Sequence, residues 1–322
     1  MELELTPLQL PLRVNWKLSR SATTEKLNFI VTIREDGFEA RSEVAPNIRY
    51  GETPDIIREE FKLFCEQRSY MGFRRALDIA PWRHSLRFAL ESAWIKLQAT
   101  RQGVPLHEFL GLPKPGLIPT SMSVPIMETG AVAAYVSDIR RFPALKIKVG
   151  ADSAWDMVSA VANAAPGTPL RIDGNEAWND LDSYLRFQDQ IDDLPVEFIE
   201  QPFPAARKDL YQALHTRTPH IVMADESIED VDNIEELATM FRAVNIKLMK
   251  TGSLTKARDF LRKSREHGLK TMVGCMVETS LGISYAMELA SLMDWADLDG
   301  FLLLKEDPYR LVTEEAGILK LT

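Results

Sequence analysis

The sequence is poor in the residues that announce many chemistries. Its two cysteines, Cys65 and Cys275, stand far apart in unlike surroundings. That argues against a disulfide framework or a cysteine zinc site, and leads us to expect a cytoplasmic protein. The five histidines form no HExxH or other paired-ligand spacing. No GxGxxG or phosphate-loop pattern occurs, so nothing points to a nucleotide. No apolar run approaches the roughly 20 residues that span a bilayer. Net charge is −9 with no basic block, so neither a membrane nor nucleic acid is an expected partner. The opening MELELTPLQLPLRV alternates and carries acids, as a strand does and a secretory leader does not.

What is present falls into two textures. A length of 322 residues suits two domains, or a barrel with an addition. Residues 1–50 read as a strand meander with a turn at Asp36-Gly37. Between its first two strands, residues 15–24 are polar and read as a loop too long for a tight turn. Helical spacing follows over 54–67, capped by Thr53, and over 83–102, ended by Gly103. This α+β block is expected to end near residue 115. Over 116–304, eight apolar strand candidates alternate with seven helical patterns. That alternation predicts an α/β fold, a TIM-type (β/α) barrel with its working groups at the strand C-terminal ends. A doubly wound open sheet is the alternative. Residues 305–322 are expected to return to the first domain.

Three successive barrel strands end in acids: LRIDGNEAW at Asp173, VEFIEQP at Glu200 and HIVMADES at Asp225 and Glu226. The intervals between them suit one βαβ unit each. An ionised carboxylate at the end of a buried strand needs a cation. Any one of these acids could cap a following helix. Three in phase point instead to a hard, oxygen-seeking ion of the magnesium type.

Lys146 and Lys148, in LKIKVG, lie two apart and face one way on a strand. Two ammonium groups so close should lower the pKa of at least one, as a lysine base requires. Lys247 ends the sixth barrel strand, opposite the second. Lys250, three positions on, is expected to face the other way as a solvated or salt-bridged residue. A metal flanked by two opposed lysines suits removal of a proton beside a carboxylate and its return to the other face, which is racemisation or epimerisation. Solvated strand ends, or ion pairs with Asp225 and Glu226, are the alternative for each lysine. A Schiff-base lysine would leave the acids without a task.

KIKVG, RIDGNEAW, FIEQPF, ADES and NIKLMKTG, in that order and spacing, resemble the enolase superfamily in its muconate-lactonising branch, over essentially the whole chain. The resemblance implies that Asp173, Glu200 and Asp225 bind magnesium and that Lys148 and Lys247 are the acid–base pair. Lys146 would tune Lys148, and Glu226 would orient Lys247. Asp297 and Asp299, in DLDG, are similar to the DxD of dipeptide epimerases and would hold a substrate ammonium. The resemblance therefore implies an isomerase, a dipeptide epimerase, with L-Ala-D/L-Glu as the first substrate expected. Lys17 and Arg20 would stand over the substrate side chain. A homo-oligomer is also implied. The alternatives are an o-succinylbenzoate synthase, N-succinyl amino acid racemase or cycloisomerase of the same branch, or a non-catalytic barrel that binds. The chain departs from the family at Gly252-Ser253, where Gly-Gly is common. Glu278 has no implied role.

Overall fold

The structure, a computed structural model, describes residues 1–18, 21–228 and 233–322, with the side chains of 14–18 and 21–23 left undescribed. Three antiparallel strands come first: β1 (Glu2–Leu18), β2 (Ser21–Glu35) and β3 (Phe38–Val44), in sheet order β1-β2-β3. The described part of the stretch expected to be a loop at 15–24 instead extends the β1–β2 pairing, with Trp16 opposite Thr23 and Leu18 opposite Ser21 after a register shift beyond Pro11. The pleat accepts polar residues there, since a strand need bury only one face. Arg20 lies outside the described residues, as does the Lys17 side chain.

Three helices cover this sheet: α1 (Pro54–Met71), α2 (Phe73–Ile79) and α3 (His84–Gln102). Thr53 caps α1 by accepting the Ile56 N–H, with Pro54 in the first turn. Alternation divides β2 between two cores. Phe29, Val31 and Ile33 face the helices and pack with Phe64, Trp82 and Leu90. Ile30 faces the other way, into the barrel's core.

The barrel strands are β4 (Ser121–Val124), β5 (Ala144–Lys148), β6 (Leu170–Asp173), β7 (Val196–Glu200), β8 (Val222–Ala224), β9 (Ala243–Lys247), β10 (Lys270–Gly274) and β11 (Trp295–Asp297). All seven neighbouring pairs are parallel. The ring is nearly closed, by a single parallel bridge from Thr120 to Ala296. Helices on the outside connect them: α4 (Thr129–Ile139), α5 (Ala154–Ala164), α6 (Leu181–Ile191), α7 (Lys208–His215), α8 (Ile234–Ala238), α9 (Leu248–Thr251), α10 (Leu254–Glu266) and α11 (Ser280–Met287).

Two boundaries differ from the sequence expectation. The strand read over 117–126 breaks at Thr120, and its first part, Ile118–Pro119, leaves the barrel. It pairs with the C-terminal hairpin β12 (Val312–Glu315) and β13 (Ile318–Leu321), which therefore forms its own small sheet rather than joining β1–β3. The approach to that hairpin touches the first domain, where Leu304 bridges Leu12 and the Lys305 N–H donates to the Pro11 carbonyl. Gly252-Ser253 also finds its explanation. Gly252 turns the chain at φ 68°, and Ser253 caps α10 while its hydroxyl donates to buried Glu91 of α3 (2.9 Å). Among the described residues no helix is long and apolar enough to cross a membrane.

Candidate active site

Parallel register sets the site. Lys148 pairs with Asp173, and Asp173 with Glu200, so the last residues of β5, β6 and β7 stand side by side. Glu200 pairs with Met223, which puts Asp225 just beyond the end of β8. Lys247, Gly274 and Asp297 are likewise in register at the ends of β9, β10 and β11. Lys146, Lys148, Asp225, Lys247, Asp297 and Asp299 line one cavity of about 540 Å³ at this mouth, roofed by residues 45–50 of the first domain.

The acids are held by lysines. Lys146 Nζ lies 2.7 Å from Glu200 Oε2, 2.8 Å from Asp297 Oδ2 and 3.3 Å from Asp173 Oδ2. Lys148 donates to Asp173 Oδ2 at 2.9 Å. Lys247 donates to Asp225 Oδ2 at 2.8 Å, and Lys250 to Asp225 Oδ1 at 2.6 Å. Asn245, a lone amide inside β9, donates to Glu200 Oε1 at 2.8 Å. Burial opposes the charged form of Asp173, but Lys148 and Lys146 outweigh it and hold that carboxyl well below its ordinary range. Glu200 goes the other way. Burial raises it, and the charges of Asp173 and Asp225 add to the rise against the pull of Lys146. Its contact with Lys146 is close, yet Oε2 takes no hydrogen bond of regular geometry.

Among the described residues no three ligating side chains are disposed around one ion in this arrangement, and lysines contact all three acids. The donor set itself suits a hard divalent cation: three buried carboxylates, one of them raised first by burial and then by repulsion from the other two. A cation between them would relieve that repulsion, on condition that the lysines release Asp173 and Asp225.

Two expectations need correction, at Glu226 and at Lys250. Lys146 is not the lysine of the close pair whose pKa is lowered. Burial lowers it, but Asp297, Glu200 and Asp173 outweigh burial and raise it well above the ordinary lysine value. Glu226 makes no hydrogen bond to Lys247, which Asp225 orients instead. Glu226 Oε1 accepts from Asn175 Nδ2 (3.3 Å) and lies 3.8 Å from Arg49 Nη1 of the first domain. Lys250 does not face away. After Lys247 the chain coils into α9, where residues three apart share a side, so both lysines reach Asp225.

Asp297 and Asp299 differ in environment. Asp297 accepts from Lys146 and from Ser121 Oγ (2.8 Å), and Lys146 overcomes burial to lower its pKa. Asp299 accepts the Ser123 N–H (2.8 Å), and its pKa is raised by burial and by the charge of Asp297. Asp299 is thus the acid of the pair still calling for a cation. Glu278 sits under the cavity wall, its Oε1 accepting the Met276 N–H at 3.0 Å. Burial, aided by the charge of Glu43, pushes it up to about 8.

Sequence reasoning missed Asn175, Asn245 and Arg49. Asn245 carries a readable signal, a single amide within an apolar strand. Arg49 does not, because its partner Glu176 (2.6 Å) comes from a distant loop.

A family profile described as "Enolase C-terminal domain-like" matches residues 129–310. An L-Ala-D/L-amino acid epimerase from Pedosphaera parvula is 32% identical, over 99% of this chain and 95% of its own length. Among solved structures, an enolase family member from Agrobacterium tumefaciens with homology to dipeptide epimerases, holding sodium and L-Ala-L-Glu, superposes with a TM-score of 0.91 at 30% identity, covering 99% of this chain and 97% of that one. A dipeptide epimerase from Methylococcus capsulatus, complexed with Mg and L-Arg-D-Lys, gives 0.86 at 28% identity, covering 100% and 96%.

Proposed function

The chain belongs to the enolase superfamily, and we propose that within it this protein is a magnesium-dependent dipeptide epimerase. The observation that carries this reading is the pair Lys148 and Lys247. They line one cavity from β5 and β9, on either side of three buried carboxylates, with Asp297 and Asp299 at its edge. Residues 1–115 serve as a cap, and residues 116–304 carry the chemistry.

In this reading Asp173, Glu200 and Asp225 hold magnesium, which when bound supplies positive charge to the dipeptide's terminal carboxylate. Asp299, helped by Asp297, holds the substrate ammonium and fixes the dipeptide along the cavity. One lysine, neutral, takes the proton from the Cα of the C-terminal residue. The C–H electron pair passes into the carboxylate. The other lysine, charged, returns a proton to the opposite face, so the configuration inverts and no atom is gained or lost. Lys146 stays charged among Glu200, Asp297 and Asp173 and fixes their spacing.

The sister chemistries, o-succinylbenzoate synthesis, N-succinyl amino acid racemisation and cycloisomerisation, share the lysines and the acids. Their substrates carry no ammonium and would leave buried Asp299 without a cation. A cytoplasmic setting is supported by two unpaired cysteines, and self-association is open to sedimentation. The deciding experiment is α-proton exchange in D₂O with magnesium and a dipeptide panel, followed by NMR. Exchange at the C-terminal residue, abolished by chelator, supports epimerisation. Exchange only on N-acyl amino acids would move the protein to a sister chemistry.

A further inference from the structure

Asp173, Glu200, Asp225 and Asp297 each contact a lysine in the cavity, and Lys250 shares Asp225 with Lys247. One cation in the lining has no such partner. Lys26 of β2 borders the cavity, half-buried, and among the described residues no carboxylate pairs with it. Its orientation follows from the pleat. Residues two apart on a strand share a face. Asn28 turns to the barrel, donating to the Val277 carbonyl at 3.0 Å, and Ile30 belongs to the barrel's core. Lys26 is next in that series and projects over the same mouth. Burial lowers its pKa, and among the described residues no acid offsets that effect. The strand beneath is fixed: Leu10, its cross-strand neighbour, is buried, and Leu12 bridges Leu304.

We propose that Lys26 is the residue that reads the charge of the substrate's C-terminal side chain, and that it selects an anionic one. This rests on the dipeptide reading above. With the ammonium at Asp299 and the terminal carboxylate at the cation that the barrel acids would hold, the group left to face the cap is the side chain of the epimerised residue. A carboxylate there would give Lys26 the counter-ion the cavity withholds. Lys26 touches neither the reacting carbon nor the acids, so its contribution is to binding and specificity.

The test compares kcat/KM for L-Ala-L-Glu and L-Ala-L-Gln, read as α-proton exchange, in the wild type, Lys26→Met, Lys26→Arg and Lys26→Glu. A charge-assisted hydrogen bond corresponds to about tenfold to a hundredfold in binding. The Glu-to-Gln ratio is expected to fall by that factor in Lys26→Met, mainly through KM, and to be restored by Lys26→Arg. Lys26→Glu should turn preference toward L-Ala-L-Lys. An unchanged ratio in Lys26→Met overturns the assignment, as does a wild type that epimerises neutral or basic dipeptides in preference to acidic ones; in both cases the epimerase reading survives. A wild type that exchanges no dipeptide overturns that reading, and the role of Lys26 falls with it.

Discussion

Lys247 and Lys250 grip the same carboxylate, Lys247 at Asp225 Oδ2 (2.8 Å) and Lys250 at Oδ1 (2.6 Å). A cation that takes Asp225 must therefore displace at least one of them. This exchange frees Lys247, the lysine proposed to work as an acid–base group, from a contact that raises its pKa over the opposing effect of burial. Binding of metal and activation of the lysine are then one event.

The first prediction follows from that coupling. Magnesium should raise the melting temperature of the wild type. A ligand at a hundredfold its Kd adds about 2.7 kcal/mol to folding stability. Asp225→Asn should lose most of that increment while remaining folded, because Asn keeps the shape and can still accept from one lysine. A thermal melt with magnesium and with chelator measures both. An equal magnesium response in the variant would remove Asp225 from the metal site.

The second concerns the opposed lysines. General acid–base groups contribute about 10²–10⁴-fold. Lys148→Ala and Lys247→Ala should each lower epimerisation by at least that order. Each should still exchange the α-proton of one configuration, and the two variants should retain opposite ones. NMR in D₂O with L-Ala-L-Glu and L-Ala-D-Glu separates them. Retention of the same configuration by both would refute the two-base arrangement.

The alternation of strands and helices, and the acids at strand ends, were legible because period and polarity change sharply there: a buried strand such as LRID admits a carboxylate only at its end. Direction after a strand end was not legible. Lys250 and Glu226 depend on where the chain passes from pleat to coil, and at Lys247 that change happens within one residue. The far ends of β1 and β2 read as a loop because their polar residues carry no core-facing pattern in the sequence. Lys26 was missed for the same reason. Its meaning comes from Asn28 and Ile30 beside it, and from the barrel they face.

A third prediction concerns pH. Glu278 carries a folded-state value of about 8, raised by burial and then by Glu43. A carboxyl raised on folding binds its proton more tightly in the native state. Its stabilising effect is complete below the unfolded value near 4.5 and is lost as pH rises to about 8. Glu278→Gln mimics the protonated form, so its stability should not decline through this window as far as that of the wild type, the difference being on the order of a few kcal/mol. Denaturant midpoints at several pH values for both proteins give the answer. Parallel profiles would mean that Glu278 is not protonated in the native state.

The last prediction tests how little room the lysine has. Gly274 ends β10 in register with Lys247. A Cβ placed there would meet Asn245 Oδ1 at 2.7 Å, its Nδ2 at 3.0 Å and Lys247 Cε at 3.2 Å. Asn245 cannot move freely, because its amide holds Glu200. Gly274→Ala should therefore push on a proposed metal ligand and a proposed base together. Overpacking of this kind costs roughly 1–3 kcal/mol in stability. The loss in kcat should be larger than that cost suggests, about tenfold or more, since a small misplacement of a reacting group is heavily penalised. Measuring kcat and the melting temperature of the same preparation separates the two effects. A variant that loses stability but keeps full kcat would show that Lys247 and Asn245 have more freedom than their packing implies.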